Sequence, residues 1–209
     1  MGDDLAIVNA ARVSYGKTHD HVDESDRGLI GYLARYRHGT PFEMVVFKFR
    51  VHVPISVARE WQRHRIGSFN EISTRYVEML PEFYIPEPEA VRVQTGKPGH
   101  YTMEPATRAL AEQCKSQMAA AYERSYETYK ALLIAGVAKE LARNVLPLGM
   151  YTEFIWSVNL RALFNFLSLR TADNALYEIR VEAKAVEELI SSVVPIAHTA
   201  WNTCGRTAL

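Results

Sequence analysis

The residues best suited to chemistry in this sequence are concentrated between positions 59 and 76. The run Arg59-Glu60-Trp61-Gln62-Arg63-His64-Arg65 reads as the last turns of a helix, with Arg59 and Arg63 four apart on one face. Arg63, His64 and Arg65 crowd its end, where the chain departs into Gly67-Ser68. Cations packed this closely repel one another unless an anion sits between them, and the planar guanidinium fork suits phosphate. On charge alone the ordinary alternative is a solvated basic end, which the C-terminal helix dipole favours. The continuation shifts that balance. Ser68, Asn70, Glu71, Ser73, Thr74, Arg75 and Tyr76 bring hydrogen-bonding side chains, broken only by Phe69 and Ile72. Such a stretch behind a basic helix end reads as a polar ligand cradle. Ser73 with Arg75 can hold a phosphate, and Glu71 can accept from a sugar hydroxyl or a base N–H.

A second group lies toward the C-terminus. The segment 152–170 reads as one helix, largely apolar, that carries Asn159, Arg161, Asn165 and Arg170. At helical spacing Asn159, Leu163, Phe166 and Arg170 share one face, and Arg161 with Asn165 takes roughly the opposite one. A buried helix with polar groups on two faces needs partners on both. Those partners are either core carboxylates, the commoner arrangement for buried charge, or two different ligands. His38 and Thr40, in the turn 38–43, read by themselves as a satisfied core histidine and a turn-stabilising hydroxyl. Ser73 has no His or Lys beside it in sequence to act as a base, so holding a ligand suits it better than nucleophilic attack. Cys114 and Cys204 lack a CxxC neighbour and lie away from the cradle, which argues against a redox pair, a zinc site and a covalent cysteine mechanism. His52 and His64 stand at no metal-ligand spacing, so no metal is expected.

These groups need a scaffold. Residues 44–53 alternate Val46, Lys48, Arg50 and His52 with Val45, Phe47, Phe49, Val51 and Val53, which predicts a half-buried strand. Pro54 suits the first residue of the helix carrying Val57, Ala58 and Trp61. Residues 73–78 suit a short strand. Upstream, residues 5–15 mix helical spacing with a strand end, 17–27 is a charged loop, and Asp26 is placed to cap a short helix over 28–37. Prolines and glycines without a period make 81–103 a surface excursion. A long amphipathic helix is expected over 104–136, capped by Gly136, then a short helix over 137–146 ending at Pro147. Two more helices are expected over 152–170 and 173–193, with Pro195 interrupting the end. The sum is α+β: one domain over 1–209, several helices including one long one, packed with a small antiparallel sheet. Apolar residues at 48% are enough to bury a core. Lys plus Arg and Asp plus Glu balance at 24 each, which weighs against a general nucleic-acid binder and leaves room for a local basic pocket. Two thiols, no apolar run of membrane length and no signal-like N-terminus suggest a cytoplasmic protein without a membrane partner.

The segment RHRIGSFNEISTRY (63–76) resembles the signature of the flavin-dependent thymidylate synthases: Arg-His-Arg, seven residues, then Ser. Five further blocks agree in order: NAARVS (9–14), HGTPFE (38–43), PISVAR (54–59), ARNVLP (142–147), and the spaced set Asn159, Arg161, Asn165 and Arg170. The resemblance covers nearly the whole chain. It implies reductive methylation of dUMP to dTMP, with 5,10-methylenetetrahydrofolate as one-carbon donor and FAD, reduced by NADPH, as hydride carrier. Position by position it implies that Glu60, Trp61, Gln62, Arg63, Glu71, Ile72, Ser73, Thr74, Arg75 and Arg170 contact dUMP. Arg143 is implied to reach the nucleotide from a neighbouring subunit. Arg170 is implied to favour ionisation of the uracil at N3. Thr40, Arg63, His64, Arg65, Glu71, Asn159, Leu160, Arg161 and Asn165 are implied to line the FAD site, with His38 in the turn against the flavin. A homotetramer with active sites shared between subunits is implied as well.

Three positions depart from the family pattern: Glu60 where Gln is common, Met44 where His is frequent, and Leu176 where Gln is frequent. The chain also starts without the short N-terminal strand that family members usually carry, which would leave a neighbouring strand at an edge. Two other readings compete: a non-catalytic nucleotide or nucleic-acid binding module using 59–65, and a different flavin oxidoreductase on the same scaffold. Flavin colour separates the first from the enzyme, and release of tritium from 5-tritiated dUMP separates the second.

Overall fold

The computed structural model describes residues 1–209 and is α+β, with eight α-helices and two small antiparallel sheets. The helices are α1 (Asp4–Arg12), α2 (Glu24–Arg35), α3 (Ile55–Trp61), α4 (Arg108–Ile134), α5 (Lys139–Ala142), α6 (Leu160–Arg170), α7 (Tyr177–Ser191) and α8 (Pro195–Thr203). The strands are β1 (Val46–Pro54), β2 (Ser68–Glu71), β3 (Arg92–Lys97), β4 (His100–Pro105) and β5 (Tyr151–Asn159). One sheet has the order β1-β5-β2, so β1 is an edge. Leu160 N–H donates to Val45 O at 2.8 Å and Ile55 N–H to Met150 O at 2.8 Å, which sets β1 and β5 antiparallel. The other sheet is the β3–β4 hairpin, in register from Arg92↔Pro105 to Lys97↔His100.

The chain forms two compact units. The first comprises residues 1–51, 60–70 and 154–209. Its core gathers Trp61, Phe154, Trp156 and Phe166, with Trp61 and Trp156 edge to face at 5.4 Å. Phe164 stacks on Trp201 at 4.7 Å nearby. Asp4 is buried and spans the N-terminus of α8, accepting the Ile196 and Ala197 N–H groups at 2.9 Å each. Burial pushes its pKa up against those bonds. Asp26 is wholly buried and accepts from Arg12 Nε at 2.7 Å, with His19 Nδ1 at 2.8 Å. Burial alone would raise its pKa, but those partners and the Asp23 N–H hold it down at about 2. Ligand atoms of His19, Asp23 and Asp26 lie within 4.8 Å of one another, a spacing that could hold a metal ion. Here Asp26 is engaged by Arg12 and His19, while Asp23 caps α2.

The second unit comprises residues 52–59 and 71–153. Met79, Tyr129, Ala142 and Met150 form its core, with Phe83, Tyr126 and Leu133 packed against them. The long helix α4 ends as expected: Gly136 has φ +83°, its N–H donates to Leu133 O and the Val137 N–H to Leu132 O, a Schellman closure.

Several expectations are corrected. The largest concerns 152–170, expected as one helix. Residues 151–159 are strand β5, with Thr152, Phe154, Trp156 and Val158 buried in alternation, and only Leu160–Arg170 is helical. The apolar run continues through the junction, so the change from period two to period 3.6 is masked. Residues 73–78 form a turn, with Tyr76 and Val77 N–H both donating to Ser73 O at 3.0 Å, and the strand lies earlier, at 68–71. Helix α2 starts at Glu24, inside the expected loop, because Asp23 and Asp26 make a reciprocal capping box, so Asp26 is a first-turn residue and not the cap. Pro54 closes β1 instead of opening α3. The strand end expected within 5–15 is a 3-10 turn over Val13–Tyr15. The excursion 81–103 contains most of the hairpin, turned by Pro98 and by Gly99 at φ +84°. That hairpin displaces the start of α4 to Arg108, capped by Thr107.

Candidate functional site

Helix α6 opens on Asn159, whose Oδ1 accepts the Ala162 N–H at 2.9 Å. That cap brings the polar residues of the β5–α6 junction beside the end of α3. Asn159, Arg161, Asn165 and Arg170 line one half-open cavity of about 670 Å³ together with Arg63, His64 and Arg65. The two-face expectation for this helix does not hold, since one cavity takes both sets. Asn159 belongs to the cap rather than to a helical face, and Arg170, in the last turn, also reaches this side.

Arg161 is held on two edges. Its Nη1 donates to Glu43 Oε1 at 2.6 Å and its Nε to Leu209 O at 2.8 Å. The guanidinium crosses directly over Gly39, where a Cβ would fall onto it, with Cδ and Cζ only 2.8 Å away. Any side chain at Gly39 would therefore displace the Arg161 guanidinium.

Arg170 donates through Nη1 to Glu60 and through Nε to His64 Nε2 at 2.9 Å. Since Nε2 accepts, the His64 ring is neutral and carries its proton on Nδ1. Burial, with the Arg170 charge beside it, lowers the His64 pKa from 6.5 to about 4. Both arginines thus have the carboxylate partners of the ordinary reading, and both still face the cavity.

The second unit holds the other expected cluster. Arg143 Nη1 donates to Thr74 Oγ1 at 2.6 Å, Arg75 Nε to Glu140 Oε2 at 2.9 Å, and Thr152 Oγ1 to Glu71 Oε1 at 2.6 Å. Ser73 sits in the same turn, and its Oγ accepts the Arg75 N–H at 3.4 Å. No side-chain base engages it. Ile72 is exposed there.

Other expected residues lie elsewhere. The Trp61 side chain is packed among Phe154, Trp156 and Phe166, and Leu160 is fully buried, so these two residues have only main-chain atoms to offer a ligand. Gln62 is half-buried. His38 and Thr40 are exposed and line a second cavity of the first unit, about 730 Å³, with Tyr15, Tyr32 and Met44. His38 stacks on Tyr32 at 5.9 Å and is not a core histidine. Sequence reasoning gave no role to Glu43 or Gly39, although both stand inside the HGTPFE block, nor to Glu140 and Thr152, whose partners are 65 and 81 residues away.

A family model described as thymidylate synthase complementing protein matches residues 1–196. Relatives named flavin-dependent thymidylate synthase include one from Thermus thermophilus, 51% identical over 201 residues, spanning 96% of this chain and 72% of the relative. Another, from Thermosipho africanus, is 46% identical over 195 residues, spanning 93% of this chain and 84% of the relative. Among solved structures, a UMP/dUMP methylase from Streptomyces cacaoi bound with 5-Br dUMP superposes with a TM-score of 0.92 at 39% identity, covering 100% of this chain and 94% of that one. The same methylase bound with 5-Br UMP gives 0.91 at 39% identity, covering 99% and 92%.

Proposed function

The chain belongs to the family of thymidylate synthase complementing proteins, and from that premise we propose that it converts dUMP to dTMP by reductive methylation. 5,10-Methylenetetrahydrofolate is the one-carbon donor, and FAD, reduced by NADPH, is the cofactor. The observation that carries this reading is the cavity beside α6, where Arg63, His64, Arg65, Asn159, Arg161 and Asn165 converge from segments a hundred residues apart. Its size, about 670 Å³, lies within the roughly 300–1,000 Å³ of small-molecule sites. The donor set suits a flavin dinucleotide: guanidinium forks for the pyrophosphate, amides and a neutral imidazole for polar edges, and Ile66, Ala162 and Leu169 for a ring. Bound there, the flavin supplies the hydride. We assign Thr40, His38, Glu71 and the Leu160 main chain to the same cofactor. Thr40, His38 and Glu71 do not line that cavity, which suits a site completed by neighbouring subunits.

For the nucleotide we assign Ser73, Thr74, Arg75 and Arg143 to the phosphate, with Glu71 and Ile72 beside them. Gln62, Arg63, the Trp61 main chain and Arg170 make the other half. Arg170, a cation oriented in advance, stabilises the uracil anion as charge develops at N3. Arg143 and Thr74 are tied within one chain, so whichever subunit supplies one supplies the other. We propose a homotetramer with shared sites, working in the cytoplasm, where the free thiols of Cys114 and Cys204 stay reduced.

The test is tritium release from 5-tritiated dUMP by the FAD-loaded protein given methylenetetrahydrofolate and NADPH, with UMP assayed in parallel. Release is expected. A protein that binds FAD but frees no tritium is another flavin oxidoreductase, and one that binds no flavin overturns the whole reading.

A further inference from the structure

Glu60 occupies a position different from that of the cationic residues around it. Arg170 and His64 line the cavity of the first unit, and Glu60 does not. Its carboxylate instead takes Nη1 of Arg170, while His64 Nε2 takes Nε. A planar guanidinium held at two of its nitrogens cannot rotate freely, and Nη2 is the edge left without a partner in the chain. The side chains of Glu60 and Arg170 keep 25% and 18% of their exposure, against 34% and 43% for the Glu43–Arg161 pair. The Glu60 pair is the better desolvated of the two, and its attraction is correspondingly stronger. His64 adds no charge, because burial and Arg170 keep it neutral. The cluster Glu60–Arg170–His64 therefore carries no net charge, although a cation faces the cavity.

We propose that Glu60 is the positioning residue for Arg170: it aims the guanidinium into the cavity and offsets its charge, and does not itself bind the nucleotide. This rests on the nucleotide reading above. It gives an acid a function that an amide could perform only in part. An amide oxygen would still accept from Nη1 and hold the aim, but would leave the arginine's full charge facing an anionic ligand.

Three variants separate charge from aim. The readouts are the dUMP dissociation constant, from the change in flavin absorbance of the FAD-loaded enzyme, and kcat from tritium release. Glu60→Gln keeps the acceptor and removes the charge, so dUMP should bind roughly three- to tenfold tighter. Glu60→Ala removes both, and kcat should fall at least about tenfold, well beyond the Gln variant. Glu60→Asp keeps the charge but loses reach, so kcat should fall while dUMP affinity holds. Weaker dUMP binding in all three would mean that Glu60 contacts the nucleotide directly and would overturn the proposal, as would three variants indistinguishable from the wild type. If Gln and Ala fail to fold, Asp decides: reduced kcat at unchanged affinity supports the role, and any other result ends it. A wild-type protein that releases no tritium would instead be a failure of the functional reading.

Discussion

Arg161 and Arg170 each give a nitrogen to a carboxylate of the protein and keep the cavity within reach of the rest. Sharing of this kind orients a cation without occupying its remaining donors. On the role proposed for it, removing Arg170 should lose the stabilisation of charge at N3 rather than the cofactor. We expect Arg170→Ala to reduce tritium release by about a hundredfold or more while flavin content stays close to normal. Wild-type rates from that variant would remove Arg170 from the chemistry. The neutral His64 makes a separate prediction. Its folded pKa is about 4, below the ordinary 6.5, so between those values the unfolded chain binds the extra proton and the folded chain does not. Stability is then lost as pH falls from about 6.5 toward 4. Denaturant midpoints taken near pH 7 and near pH 5 should fall more for the wild type than for His64→Gln. Equal losses would show that the ring is protonated as readily folded as unfolded.

At the level of elements, the site depends on two junctions. One is the change from β5 to α6 at Asn159, where a single side chain ends the strand's alternation and starts the helix. The other is the turn 38–44, where Gly39 lets the Arg161 guanidinium pass over its backbone and Glu43 catches it. These two contacts tie an early 3-10 turn to a late helix and set the direction of Arg161. A methyl group at Gly39 would push Arg161 out of line with little effect on the core, since Phe42 and Val45 remain buried on their own contacts. Gly39→Ala should weaken FAD binding by about tenfold or more, as expected when a hydrogen bond from a charged group, worth about 1.5–3 kcal/mol, is lost, with a nearly unchanged melting temperature. Unaltered FAD affinity in a titration would show that Arg161 does not hold the cofactor.

For the whole molecule, the residues we assign to the nucleotide divide between the two compact units: Glu71, Thr74, Arg75 and Arg143 in one, Gln62, Arg63 and Arg170 in the other. If each site draws these halves from different subunits, Arg143→Ala and Arg170→Ala can repair each other. Coexpressed, the two inactive variants should regain about a quarter of the wild-type activity, the share of sites that random mixing leaves intact. No recovery in a mixed oligomer would mean that each site is built within one chain. How much of this was legible beforehand depended on distance along the chain. The alternation over 44–53, the long helix with its Gly136 stop and the polar run 68–76 are local patterns, set by which side of an element meets water, and the residues alone determined them. The sequence also determined which cations and amides were available. Tertiary structure decided the rest. It made 151–159 a strand, because packing and pairing between β1 and β2 outweighed an apolar run equally compatible with a helix. It placed Trp61 and Leu160 in the core, and it joined Arg143 to Thr74 across 69 residues and Arg170 to Glu60 across 110. Spacing along a chain specifies the face of an element, while the partner across such distances is selected only when those faces pack.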